Sequence, residues 1–431
     1  MGFRYLFFIV FFWFELVSIC CSNFCLARSL TTSEMLKEVF NKNPEMLSFQ
    51  ARLEAENETV TLKSSLENPK IGLMKESNLT AEQRDMGSMT SWTVSQEFMF
   101  PTKYFTMRSM QKSKLQALQE EYFDKKLELR QKALTQYYNY YSATQIASLL
   151  KVQREMLREI ARIAETRRAT GAVPQQDEMK AHLEQTMIEN EILLQTQEVL
   201  EIESSLKALL NWNVEDSISL PSVELKPPKM ESSISPNVTA MAMNHSKMIA
   251  AQKFWVNEAD FNHTFAQGSY WPDFMLNYRK PFGNNTPNNA YAFGIELSIP
   301  LWFFSKQNSE VSIASAKKRE AEQNMEKIKR QVESEAKSLS RKSETLAQVL
   351  KIYETALIPQ STSALNSSRS AYSAGRIGFQ ELIDSERSLF NVRIDYYKNL
   401  AKFVEALSSL ERVIGTRVSD LSFNEESMME R

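Results

Sequence analysis

The sequence predicts a mainly α-helical chain with a small strand portion, built as two copies of a helix–strand–strand–helix half. Three observations predict it. First, landmarks recur in one order about two hundred residues apart, the mark of an internal repeat. Asn43 opens NPEMLSFQ and Asn244 opens NHSKMIAAQ; Pro69 precedes KIGLMKESN and Pro272 precedes DFMLNYRKPF. TVSQEFMFP ends at Pro101 and GIELSIP at Pro300, with Glu97 and Glu296 equivalent, and Gly171 and Gly375 mark matching corners. Second, the 431 residues contain only 10 glycines, too few for a sheet-rich globule full of turns. Third, long stretches free of proline and glycine alternate with short segments of period-two hydrophobicity.

Met1 to Ala27 form a separate element. Arg4 precedes the apolar run YLFFIVFFWF, and Cys25-Leu26-Ala27 supplies small residues at a cleavage site, the layout of a secretory signal. Glu15 interrupts the run, and the clean span of roughly twenty residues that a transmembrane anchor needs is missing. The 3 cysteines, Cys20, Cys21 and Cys25, all lie here. One of them could carry a lipid, although Ile19 and Phe24 are bulky where a lipoprotein signal wants a small residue. An exported chain starting at Arg28 then has no disulfides. Net charge is −2, which gives nucleic acid nothing to bind by bulk electrostatics.

The elements follow in order. Ser33 to Glu67 reads as a helix, with Ser33 as N-cap and Glu34 in its first turn. Strands are expected near Lys70 to Asn78 and Ser91 to Phe100. A run from Phe105 to Arg168 then lacks proline and glycine and implies a helix on the order of 90 Å long. After the Gly171 corner, Gln175 to Asn211 is helical again. Residues 213–237 hold Pro221, Pro227, Pro228 and Pro236 and read as a connector. The second half repeats the plan: a helix near Val238 to Phe265, strands near Asp273 to Phe282 and Ala290 to Trp302, and a helix from Ser305 to Ser373 that Pro359 kinks. A last helix runs from Gly378 to Ile414. The expected layout is a signal peptide at 1–27, repeats at 28–212 and 238–415, and a polar tail at 416–431.

Helices this long must pack side by side. The last one carries a seven-residue stripe, Leu382, Leu389, Tyr396, Phe403 and Leu410, with Leu400, Leu407 and Ile414 in a second register. A strict seven-residue period implies left-handed superhelical packing.

The strands point to a membrane. Phe293, Ile295 and Leu297 alternate with Gly294, Glu296 and Ser298, and Trp92, Val94 and Phe98 with Thr93, Ser95 and Glu97. A half-buried soluble sheet would alternate likewise. The strands are, however, about ten residues long, enough to cross a bilayer when tilted, and Trp271, Phe282, Trp302, Phe303 and Phe304 cluster at their ends like an interfacial girdle. Open sheet edges are forbidden in lipid, so four strands cannot span alone. Three chains contributing about twelve strands make the smallest barrel with a lumen, and Glu97 and Glu296 would face it.

Enzyme signals are missing. His182, His245 and His263 show no ligand spacing, and HExxH, P-loop, GxSxG and cysteine-cluster motifs do not occur. No cofactor or resident metal is therefore expected. The corners remain. YSAGRIGFQELIDSERSL, residues 372–389, has Glu381 and Asp384 three apart on one helix face; RATGAVPQQDEMKAHLEQ, residues 168–185, has Asp177 in the first place but Lys180 in the second. The plain reading is that acids in a first turn favour the macrodipole and stay solvated, and that glycine at a helix end meets a left-handed turn.

The duplication, the paired strands and these corners, from about Ser33 to Gly415, resemble the outer-membrane efflux protein family of TolC-like channels. The resemblance implies a homotrimer with a shared twelve-stranded β-barrel in outer-membrane lipid, continued by a long α-helical barrel across the periplasm. It implies a periplasmic adaptor and an inner-membrane pump, of the RND type first, as partners. Glu381 and Asp384 match the carboxylates that ring the closed aperture. Tyr372, Arg376 and Asp177 match its supporting residues, Arg376 standing one position earlier than in the family pattern. Gly171, Ala172, Val173, Gly375, Arg376 and Ile377 fall where the adaptor docks. The second corner resembles the heavy-metal cation branch. The 20 methionines fit that branch, although methionine more often fills packing gaps. The expected function is an exit duct for metal cations or drugs, with type I protein secretion and a periplasmic coiled-coil scaffold as the alternatives.

Overall fold

The computed structural model describes residues 28–76, 89–171, 174–220, 225–228, 237–282 and 290–418. The expected signal segment with Cys20, Cys21 and Cys25, the tip residues Ala172 and Val173, and much of the connector and tail lie outside the described residues.

In chain order the elements are β1 (Arg28–Ser29), α1 (Thr32–Lys42), α2 (Pro44–Ser64), β2 (Lys70–Glu76), β3 (Met89–Phe98), α3 (Pro101–Ala169), α4 (Gln175–Leu210) and β4 (Ile218–Ser219). The second half supplies α5 (Val238–His245), α6 (Lys247–Gln267), β5 (Asp273–Phe282), β6 (Ala292–Ser298), α7 (Lys306–Ile352), α8 (Ile358–Ser373) and α9 (Phe379–Ile414).

Five details differ from the sequence reading. The first helix is capped by Thr31, not Ser33: the Thr31 hydroxyl accepts from the Glu34 N–H and the Glu34 carboxylate accepts from the Thr31 N–H. Residues 33–67 form two helices, because Pro44 disfavours helical geometry at Asn43, whose side chain then caps α2 through the Glu45 N–H at 2.9 Å. The second half breaks at the matching place, Ser246. Instead of a simple kink at Pro359, the chain makes a π-helical turn at Tyr353–Leu357 directly before it, which accommodates the proline's missing N–H. Strand β6 stops at Ser298, two residues short of Pro300, and residues 301–305 turn instead of extending.

Helix α3, with 69 residues, is about 100 Å long at 1.5 Å per residue. It packs against α2, α4, α6 and α9, and α9 also packs against α7 and α8. The seven-residue stripe of α9 faces inward: Leu382, Leu389, Tyr396, Phe403 and Leu410 are all buried. Two apolar cores lie along the bundle. One joins Leu36, Leu134, Tyr137, Phe403 and Leu407; the other, toward the corners, joins Ile160, Ile188, Leu365, Tyr372 and Leu382. Parallel pairing of β1 with β4 ties the N-terminal segment to the connector. None of the described helices is long and apolar enough to cross a membrane.

The four long strands form one antiparallel sheet in the order β2-β3-β5-β6. At its junction with the bundle, buried Lys103 on α3 pairs with Asp273 at 2.8 Å, and Asp273 also accepts from the Phe100 N–H at 2.8 Å.

Candidate functional site: the helical corners and the polar sheet face

At the second corner, α8 ends in a Schellman turn. Gly375 adopts φ 72°, its N–H donates to the Tyr372 carbonyl, and the Arg376 N–H donates to the Ala371 carbonyl, both at 2.9 Å. The chain re-enters a helix at Gly378, whose N–H donates to Glu381 Oε2 at 2.8 Å. Glu381 therefore caps its own helix, and Asp384 accepts from Gln380 Nε2 at 3.0 Å. Both carboxylates remain exposed, on the face of α9 opposite buried Leu382 and Ile383. Arg376 and Gly375 are exposed, and Ile377 packs on the edge of the second core.

At the first corner, α3 ends at Thr170, and Gly171 takes φ 71° with its N–H on the Arg168 carbonyl at 2.9 Å. Pro174 starts α4 with Asp177 in its first turn. The two corners meet through Tyr372, which is buried and packs edge-on against Phe379 with ring centroids 6.3 Å apart. Burial pushes the Tyr372 hydroxyl up from its ordinary value, Arg167 opposes this and nearby Asp177 adds to it. The arginine that reaches this tyrosine is Arg167 on α3: its guanidinium lies 4.8 Å from the ring centroid and its Nη1 donates to the Tyr372 carbonyl at 2.7 Å. The corner sequence points to Arg376 instead, which is exposed. The available signal was the Arg167-Arg168 pair in the last turn of α3, but its partner lies 205 residues away. Arg369–Glu159 and Arg387–Glu184 pairs add further links between the helices of the two corners.

A second missed residue is Glu386, fully buried two residues beyond Asp384. Its Oε2 accepts from Gln153 Nε2 at 3.3 Å, while Oε1 has no hydrogen-bond partner among the described residues. Burial, reinforced by Glu184, pushes its carboxyl up to about 7 against the Gln153 hydrogen bond and the Arg387 charge.

In the sheet, directly paired residues share a face. Glu97 pairs with Met275, and Met275 with Glu296, so the two glutamates lie in one row across three strands. The same face carries Lys70, Glu76, Ser95, Asn277 and Arg279. Its polar groups interlock: Lys70 with Glu97 at 2.8 Å, Arg279 with Glu76 at 2.5 Å, and Asn277 Nδ2 donating to Glu296 Oε1 at 2.5 Å. A recess of about 440 Å³ at its helix-proximal end is lined by Glu67, Glu97, Met275 and Glu296, among others. The opposite face presents Ile71, Leu73, Trp92, Val94, Tyr278, Phe293, Ile295 and Leu297. These side chains are open to the surroundings, Phe293 and Ile295 at 64% exposure each. An apolar face this continuous marks a lipid or protein contact. Phe100 stacks on Trp271, and Trp302, Phe303 and Phe304 cluster beside each other at the same end of the sheet. Among the described residues, the outer strands β2 and β6 have no partner along their outer edges.

Comparison with known proteins agrees with this architecture. The cobalt-zinc-cadmium resistance protein CzcC of Cupriavidus metallidurans is 23% identical over 259 residues, 59% of this chain and 60% of CzcC. This chain thus spans about 60% of the length of that relative. Crystal structures of CusC superpose with a TM-score of 0.76 at 15% identity, covering 89% of this chain and 91% of CusC. The outer membrane protein VceC from Vibrio cholerae also gives 0.76, at 16% identity, covering 89% of this chain and 96% of VceC. The model of the family described as Outer membrane efflux protein matches residues 35–212 and again 239–416, once in each half. With both halves matched and the same helical bundle and sheet in solved outer-membrane proteins, the chain belongs to the outer membrane efflux protein family.

Proposed function

We propose that three copies of this chain form the exit duct of a tripartite efflux system, taking substrates from a periplasmic adaptor and an inner-membrane pump across the outer membrane. The class of activity, outer-membrane efflux, is that of the family. The observation that carries the reading is the sheet: an exposed apolar face, a charged face and, among the described residues, two unpaired edges on one four-stranded unit. In hydrocarbon such edges must be closed, and copies of the same sheet joined edge to edge close them. The apolar face then meets lipid, and Glu97 and Glu296 line the lumen. Residues 1–27 act as the export signal, 28–212 and 238–415 as the two repeats joined by 213–237, and 416–431 as a tail.

At the other end of the bundle, Glu381 and Asp384 form carboxylate rings around the aperture, which attract cations and repel one another when the mouth is closed. Tyr372, Asp177 and Arg376 support that mouth. Gly171, Ala172, Val173, Gly375 and Ile377 meet the adaptor, and an RND pump supplies the energy. The duct performs no chemical step and binds no nucleic acid. Divalent metal cations are the favoured cargo, because CzcC is named for cobalt, zinc and cadmium resistance. Drugs and secreted proteins are the competing cargoes.

Two measurements test this. Purified protein in planar bilayers should form cation-selective pores, and a deletion strain should become sensitive to cobalt, zinc or cadmium. A protein that fractionates with the soluble periplasm and shows no conductance refutes the duct; sensitivity to dyes and detergents alone refutes the metal cargo.

A further inference from the structure

The first corner holds a group of side chains that the exit-duct reading leaves unused. Glu165 lies about one turn before the end of α3. Glu178 and His182 stand four apart in the first turns of α4 and so share one helix face. The hairpin brings the three together: one ligand atom from each lies within 4.8 Å of the others. His182 Nε2 is 3.5 Å from Glu165 Oε1, and His182 Nδ1 is 3.3 Å from Gln185 Oε1. With the Gln185 amide oxygen accepting from Nδ1, the Nδ1-protonated tautomer of the neutral ring would leave the Nε2 lone pair facing the carboxylates. An oxygen acceptor on the far ring nitrogen is how ligating histidines are held.

We propose that Glu165, Glu178 and His182 form a binding site for a divalent transition-metal cation of the zinc type. One imidazole nitrogen with two carboxylates suits zinc and its neighbours, whereas magnesium and calcium prefer oxygen alone. Around a tetrahedral ion with bonds of about 2.0–2.1 Å, ligand atoms sit about 3.4 Å apart. Closing from 4.8 Å needs movements of about an ångström, and Glu165 and His182 are exposed side chains free to make them. Three protein ligands leave the fourth position to water, the arrangement of an exchangeable ion. Arg168 pairs with Glu178 and competes with the cation for that carboxylate. Its guanidinium therefore holds the affinity down, and removing it should tighten binding.

The site asks nothing of the cargo, so it stands apart from the exit-duct reading. The test is zinc titration, by calorimetry, of the purified full chain in detergent without a histidine tag. About one zinc per chain is expected, with affinity falling at least about tenfold in His182→Ala and in Glu165→Gln, and rising in Arg168→Gln. A gain of affinity cannot come from misfolding, which keeps that variant decisive. Zinc binding of unchanged affinity in both His182→Ala and Glu165→Gln overturns the proposal, as does magnesium binding as tight as zinc, or no zinc binding up to millimolar concentration. Metal sensitivity of the deletion strain, measured separately, reports on cargo and not on this site.

Discussion

Glu386 should make the stability of the corner bundle depend on pH in a direction opposite to that of most carboxylates. It is 0% exposed, one oxygen has no partner among the described residues, and burial pushes its carboxyl up from 4.5 to about 7. The groups around it are Gln153 on α3, Glu184 on α4 and Arg387 on α9. The folded state thus keeps the proton to higher pH than the unfolded chain. Stability from this group is fully present below about 4.5 and is lost as pH rises through about 7. At 1.36 kcal/mol per pH decade the full loss is about 3 kcal/mol, most of it complete by neutrality. Glu386→Gln is nearly isosteric and stays neutral. Its melting midpoint in detergent, at a fixed scan rate from pH 4.5 to 8.5, should match the parent at the acid end and exceed it by a few degrees above pH 7. A difference that does not change with pH, or a variant less stable than the parent at pH 8, refutes the argument that desolvation dominates this site.

Three further outcomes are expected. Glu381→Ala combined with Asp384→Ala should lower cation selectivity and weaken divalent-ion block in bilayers, with only a small drop in melting from loss of the Glu381 cap on the Gly378 N–H, since both side chains are exposed. Arg167→Ala removes both the hydrogen bond to the Tyr372 carbonyl and the contact with its ring. It should cost about 1–3 kcal/mol at the corner, read as faster hydrogen exchange there, and Arg167→Lys should recover only part because it lacks the planar fork. Gly415→Ala should destabilise by at least about 2 kcal/mol, read as a lower melting midpoint. Gly415 has φ 79°, and an added Cβ would lie 2.2 Å from the His245 carbonyl oxygen.

The sequence by itself determined the order and type of the long elements and the duplication, because these rest on local signals. Proline- and glycine-free runs give long helices, alternation gives strands, and Gly171, Gly375 and Gly415 sit at positive φ where helices end. The face of each strand was also legible, since a side-chain period of two leaves one choice once Glu97 and Glu296 are aligned. The break at Asn43 is encoded in the Asn-Pro pair but masked by helical periodicity that continues on both sides of it.

Only the tertiary structure decided which charged residues are buried or joined. Glu386 reads as one more helical acid beside Glu381 and Asp384, yet it is buried and its hydrogen-bond donor Gln153 lies 233 residues away. Arg167 and Arg376 look equivalent in composition, yet only Arg167 has the reach to Tyr372 from the end of α3. Glu178 and His182 stand four apart, but Glu165 joins them only because an antiparallel hairpin pairs residues by distance from its turn. Periodicity reports which face of a helix is apolar. It does not report which helix that face meets, and the chemistry of both corners is set by that meeting.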